Sequence, residues 1–194
     1  MLQIDRETLE RTGIPERYWD AETDLQMPEG RGLYLWGMVG RGKTHAACAL
    51  ALRELRRGAP VYEARTHKVV AHRRPVVRFI SMIDAKNRLG DTFGTRQSAA
   101  ELRSMLVGCD LLVLDDVGRE DPKPWVQEFL WAIVDGRYGY RGKRTIVTSN
   151  YSRGELAGRI SSGDDATMAT AIVSRLSEMT AAIHIDGPDR RVMQ

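Results

Sequence analysis

The stretch Gly37–Thr44, GMVGRGKT, constrains this chain more than any other. It fits the pattern G-x-x-x-x-G-K-[ST], whose glycines, lysine and hydroxyl are spaced to enclose a polyphosphate. Leu33-Tyr34-Leu35-Trp36, just before it, is a short apolar run that predicts a buried strand. The small and apolar residues from His45 to Leu52, just after it, predict a packed helix. Strand, glycine loop and helix are the setting the motif requires. Gly37, Gly40 and Gly42 let the backbone close around an anion in conformations that a Cβ forbids. Successive N–H groups of Met38, Val39, Gly40, Arg41, Gly42 and on to His45 then face the ligand, backed by the positive end of the helix. Lys43 can reach the β- and γ-phosphates, and Thr44 can hold Mg²⁺ through its hydroxyl.

The bulk properties set broad bounds. A chain of 194 residues, 42 % hydrophobic and 28 % charged, suits one medium domain with a real core. No apolar run approaches the length of a membrane span, and the opening MLQIDRETLE has no signal-peptide core, so the expectation is a cytoplasmic protein without a membrane partner. Cys48 and Cys109 lie far apart and read as small buried residues of a reduced protein, with little support for a disulfide or metal site. The net charge of +3 is only mildly basic. Arginine outnumbers lysine, which suits phosphate contacts and suits an ordinary solvated surface equally well.

Along the chain, residues 1–30 read as an N-terminal arm and residues 31–194 as the domain proper. Asp5 caps a first helix that Gly13 can end. The P-loop helix runs to about Arg57, with Gly58 as its stop. Residues 59–75 are a basic connection, either a β-hairpin (Val61-Tyr62 with Val69-Val70) or a loop, and either a nucleic-acid contact or a solvated insertion. Val76–Ile80 is a second strand. Ser81 with Asp84, and Ser98 with Glu101, predict two capped helices, the second ending at Gly108. Leu111–Leu114 is a buried parallel strand that runs into Asp115-Asp116. Acidic residues at such a strand end sit where ligands bind in α/β sheets. Asp115 would hold Mg²⁺ and Asp116 would polarise an attacking water. After a helix carrying Trp125, Phe129, Leu130, Ile133 and Val134, the strand Thr145–Thr148 ends at Ser149-Asn150, where Asn150 can touch the γ-phosphate or merely form a turn. Ser152 with Glu155 caps a short helix, a longer one carries Ser174-Arg175-Leu176, and Ala182–Ile185 is the last strand. Five strands alternating with helices predict an α/β fold with a parallel sheet. The three motifs each follow a strand directly, so they converge on one edge of that sheet.

With IPERYWDA, GMVGRGKT, LLVLDDVGRE, TIVTSNYSRGEL, Ser174-Arg175-Leu176 and GPDRR in place, the chain resembles the AAA+ ATPases of the bacterial helicase-loader group, DnaC/DnaI type, and is similar to the IstB-like ATPases that assist transposition. The resemblance covers roughly Gly13 to Arg191. It implies a P-loop NTPase of the ASCE type with a five-stranded sheet in the order 5-1-4-3-2 and no C-terminal helical lid. It implies ATP or ADP with Mg²⁺ at the loop, hydrolysis that is weak in a lone subunit, an ATP-dependent homo-oligomer and single-stranded DNA. A replicative helicase or a transposase would be the protein partner. By position, Arg175 would be an arginine finger entering a neighbour's site, Tyr18 would lie near the adenine, and Lys86 and Arg88 would contact DNA. Arg190 and Arg191 match the group's terminal arginine pair. Loaders of this type usually carry a further N-terminal domain; here about a dozen residues precede the ATPase region, which leaves open an excised domain or another way of engaging a helicase. Outside that group, a small-molecule P-loop kinase would have no need of Asn150, and a nucleotide-gated DNA-binding module would turn over little ATP.

Overall fold

The computed structural model describes residues 3–188 apart from 64, 67, 92–95, 120, 141, 164 and 165, and excludes the side chains of 90, 91 and 96–98. A first helix, α1 (Arg6–Thr12), is capped by Asp5, whose carboxylate accepts from the Thr8 N–H at 2.8 Å. A 3₁₀ turn at Glu16–Tyr18 leads to β1 (Gly32–Trp36) and α2 (Lys43–Arg57). Then come β2 (Ala59–Tyr62), β3 (Val69–Arg73), β4 (Val77–Ser81), α3 (Met82–Asp91), α4 (Arg96–Gly108) and β5 (Leu111–Val117). The chain continues through α5 (Pro124–Tyr138), β6 (Arg144–Ser149), α6 (Arg153–Ile160), α7 (Thr167–Met179) and β7 (Thr180–His184).

The main sheet runs β4-β5-β6-β1-β7, and every neighbouring pair is parallel. Read from the last strand inward, with the β2–β3 hairpin left out of the count, this is the expected 5-1-4-3-2. Its central strands β1, β5 and β6 are buried along most of their length, as suits strands covered on both faces. Leu33, Leu35, Leu111, Val113 and Ile146 point to one side, where α2 and the N-terminal residues Ile14 and Ala21 close the core. Tyr34, Leu112, Leu114 and Val147 point to the other, against α3 to α7. Among the described residues no helix follows β7, and no helix is long and apolar enough to cross a membrane.

Two local expectations are corrected. The helix expected to start at Ser98 starts at Arg96, which places Ser98 inside it rather than at its cap. At Ser81 half of the capping box forms: its hydroxyl accepts from the Asp84 N–H at 3.0 Å and donates to the Asp84 carboxylate at 2.7 Å, so that carboxylate serves the hydroxyl. The basic connection is resolved in favour of a hairpin, β2 with β3, forming a separate antiparallel sheet. Cys48 and Cys109 are buried free thiols, and burial pushes both upward in pKa.

Gly32 lies where β1 meets β6 most closely. A Cβ built there would sit 1.8 Å from the Thr145 carbonyl oxygen, a backbone atom of the neighbouring strand. Gly32→Ala should therefore lower the unfolding free energy by about 3 kcal/mol, read as a lower urea midpoint. Gly139→Ala, where a Cβ meets nothing within 4 Å, should leave the midpoint unchanged.

Candidate nucleotide site

The site begins with an irregularity in β5. Leu114 pairs with Val147 and Val117 with Ser149, so Asp115 and Asp116 together face the single residue Thr148. Such a bulge leaves an unpaired residue and twists the strand. Here Asp116 takes up the twist, with φ 58°, the one positive value among described non-glycine residues. The threonine side chain satisfies what the bulge leaves over: its hydroxyl donates to Asp115 Oδ1 at 2.7 Å and accepts from the Asp116 N–H at 2.9 Å. The two carboxylates are thereby aimed apart. Asp115 is buried beneath the P-loop, and Asp116 sits at the mouth of the cleft, paired with Arg119 at 3.0 Å.

The loop meets this pair from β1. Gly37 adopts φ 146°, and a Cβ there would come 2.3 Å from the Ile185 carbonyl oxygen, so the turn out of β1 has no room for a side chain. The next turns use φ 82° at Gly40 and 88° at Gly42, and α2 begins at Lys43. The Lys43 ammonium is buried and donates to the carbonyls of Gly37 and Met38, each at 2.8 Å, and to Asn150 Oδ1 at 2.9 Å. Thr44 donates to Asp115 Oδ1 at 2.9 Å. The ends of β1, β5 and β6 are thus linked through two consecutive side chains of α2.

Burial raises the Asp115 pKa; the hydrogen bonds from Thr148 and Thr44 offset part of that, the Asp116 charge adds to it, and Lys43 opposes it. A buried carboxylate held by two hydroxyls and still raised in pKa is short of positive charge, which a divalent cation would supply. The donor set, a carboxylate with a threonine hydroxyl, is of the hard oxygen type that Mg²⁺ takes.

A cleft of about 630 Å³ opens over these groups. Lys43, Thr44 and the backbone at Val39, Gly40 and Gly42 form its floor, and Asp116, Arg119 and Asn150 form one side. Arg17, Tyr18 and His45 complete its lining. Tyr18 and His45 meet edge to face with centroids 6.2 Å apart, and the Arg17 guanidinium lies 4.8 Å over the Tyr18 ring. Three participants escaped sequence reasoning: Arg17, Arg119 and Thr148. The first two sit beside motif residues, but nothing in their spacing marks them. Thr148 is apolar-strand sequence until the bulge is known.

The structure does not bring the remaining sequence candidates to this cleft. Arg175 lies on α7, paired with Asp135 at 2.9 Å and stacked 4.0 Å over the Trp131 ring. Lys86 and Arg88 lie on α3, Arg88 exposed and Lys86 half-buried. Arg190 and Arg191 fall outside the described residues.

A parallel sheet with the Asn150 strand between the P-loop strand and the Asp115-Asp116 strand is the arrangement of the AAA+ P-loop ATPases, and fold and site together define that class. A crystal structure of the DnaC helicase loader aligns over 89 % of this chain and 100 % of its own, with a TM-score of 0.63 at 25 % identity. In sequence, the chain is 29 % identical over 168 residues to the replicative helicase loader DnaI of Bacillus subtilis (strain 168), covering 84 % of this chain and 48 % of DnaI. It is 30 % identical over 155 residues to y4uH of Sinorhizobium fredii (strain NBRC 101917 / NGR234), by name an insertion sequence ATP-binding protein, covering 80 % and 54 %. The chain thus spans about half the length of these curated relatives. The family described as IstB-like ATP binding protein matches residues 27–194, and the chain belongs to that family.

The Asp115 environment yields a test. Asp115→Asn keeps an oxygen for Thr44 and Thr148 and removes the buried charge. Because the folded-state pKa lies above the ordinary 3.8, the ionised side chain costs stability above that raised value and costs none below the ordinary one. The nucleotide-free variant should melt about 2–4 °C higher at neutral pH, with the gain vanishing in acid, and should lose the Mg²⁺-dependent part of ATP binding in titration calorimetry.

Proposed function

We propose that this chain is an ATPase of DNA replication, a helicase loader that binds single-stranded DNA and works as an ATP-dependent homo-oligomer. The observation that carries the reading is the convergence of Lys43, Thr44, Asp115, Asp116 and Asn150 at the ends of three adjacent strands. The loop N–H groups and Lys43 would hold the β- and γ-phosphates; Lys43 now fills its donor positions with two loop carbonyls and Asn150, which phosphate oxygens can replace. Thr44 and Asp115 would hold Mg²⁺, which when bound neutralises charge on the phosphate oxygens. Asp116 would take up a water's proton as that water attacks, once it leaves Arg119, and Asn150 would orient the same water. Tyr18, with His45 and Arg17, offers a wall for the adenine.

Arg175 fits the part of a finger supplied to a neighbouring subunit, since it lies away from its own cleft. Its side chain is 26 % exposed, ion-paired with Asp135 and stacked over the rings of Trp131 and Tyr138, so entry into a neighbour's site would require it to leave these contacts. Lys86 and Arg88 on α3 remain the candidate DNA contacts. A second reading, an ATPase regulating transposition, is favoured by the family match and by y4uH; pull-down of a replicative helicase against a transposase decides between them.

ATPase rate measured against protein concentration, with and without single-stranded DNA, tests the whole scheme. The rate per subunit should rise with concentration and with DNA. Lys43→Ala should abolish nucleotide binding, whereas Arg175→Ala should leave binding intact and lower DNA-stimulated turnover about 10³-fold, as expected for a lost finger. Fast turnover by dilute monomer, unaffected by Arg175→Ala, would sink the shared-site reading.

A further inference from the structure

The β2–β3 hairpin takes no part in the nucleotide site. Its strands pair only with each other, and every residue of β3 is exposed. The arginines at its base are occupied by the body of the protein. Arg73 makes a bidentate bond to the Asp110 carboxylate at 2.6 and 2.7 Å. Arg74 donates to the Thr8 hydroxyl at 2.6 Å and to the Gln3 carbonyl at 3.1 Å. These bonds tie the base of the ribbon to Asp110, just before β5, and to the N-terminal residues. Farther out, Arg65 and Lys68 are exposed, and among the described residues neither has an ion-pair partner. Glu63 is the one acid between 59 and 75, and its carboxylate accepts from the Thr66 hydroxyl. Tyr62, 58 % exposed, pairs across the ribbon with Val69, 49 % exposed, the residue next to Lys68.

We infer that this hairpin is a second nucleic-acid contact, one for single-stranded chains with unstacked bases. Arg65 and Lys68 meet phosphates, and the Tyr62 ring offers a face on which a base stacks, a combination that tracks a single strand without reading its sequence. Exposed cations near an exposed aromatic ring, with a single acid in the whole connection, are complementary to a polyanion that offers bases for stacking. The inference rests on the DNA-binding reading above and adds a contact independent of Lys86 and Arg88.

The test is fluorescence anisotropy of a labelled 20-mer oligothymidylate and of a 20-base-pair duplex with the intact chain, at low and at physiological salt. Tyr62→Ala should weaken oligothymidylate binding about tenfold with an unchanged salt slope. Joint Arg65→Ala and Lys68→Ala should weaken it similarly and flatten the slope by about 1.4, two phosphates' worth. Both variants should bind a fluorescent ADP analogue like the parent, which excludes misfolding. Unchanged oligothymidylate binding in these variants, with loss in Lys86→Ala/Arg88→Ala, overturns the hairpin contact and leaves the DNA reading standing. Failure of the parent chain to bind oligothymidylate overturns both. Preference for the duplex, or loss of self-association with oligothymidylate binding intact, also overturns the inference, the last in favour of a protein interface.

Discussion

One hydroxyl bridges the irregular end of β5 beneath the candidate nucleotide site. Thr148 accepts from the Asp116 N–H and donates to the Asp115 carboxylate, and so it spans the single irregular place in an otherwise regular ladder. Without that bridge the bulge would leave an N–H unsatisfied in the interior, a cost of about 1–3 kcal/mol. With it, two neighbouring carboxylates point to different surroundings. Asp115 is fixed against Thr44 at the start of α2, and Asp116 is displayed in the cleft with a backbone that an aspartate tolerates better than most residues. The positions of Lys43 and Asn150 follow, because β1 and β6 lie side by side with Trp36 opposite Ser149.

The rest of the molecule supports this edge by burying both faces of the sheet. Arg137 is the least expected contributor. It is 1 % exposed, and its guanidinium donates to carbonyls of Leu106, Val107, Cys109 and Arg144. These carbonyls include the end of α4, so helix-terminal dipoles compensate the charge together with the nearby Asp110 carboxylate. Burial holds its pKa below the usual arginine value, yet an arginine stays charged there.

The strands and the P-loop were legible in the sequence because their signals are local: apolar runs of four or five residues, glycines at fixed spacing, a lysine and a threonine. The convergence of Lys43, Asp115 and Asn150 was legible too, since each follows a strand and parallel strands end on one side. What local pattern could not carry was anything made across the sheet. The role of Thr148 depends on a bulge one strand away. The anchoring of Arg73 and Arg74 depends on Asp110 and Thr8, far along the chain, and in sequence both read only as part of a basic run. Ser98 shows the opposite failure: its spacing to Glu101 satisfies the capping pattern, but the helix had already begun at Arg96.

The helix α2 joins two places that otherwise have nothing in common. Its first residue, Lys43, lies in the phosphate loop, and its last, Arg57, is one glycine away from the hairpin. At 1.5 Å per residue its length is about 22 Å. Ala47, Cys48, Leu50, Ala51 and Leu52 bury it against the sheet, so it behaves as a stiff strut and not as a tether. The hairpin base is held from two directions, by this strut through Gly58 and by Asp110 through Arg73, so the phosphate loop and the hairpin keep a fixed separation.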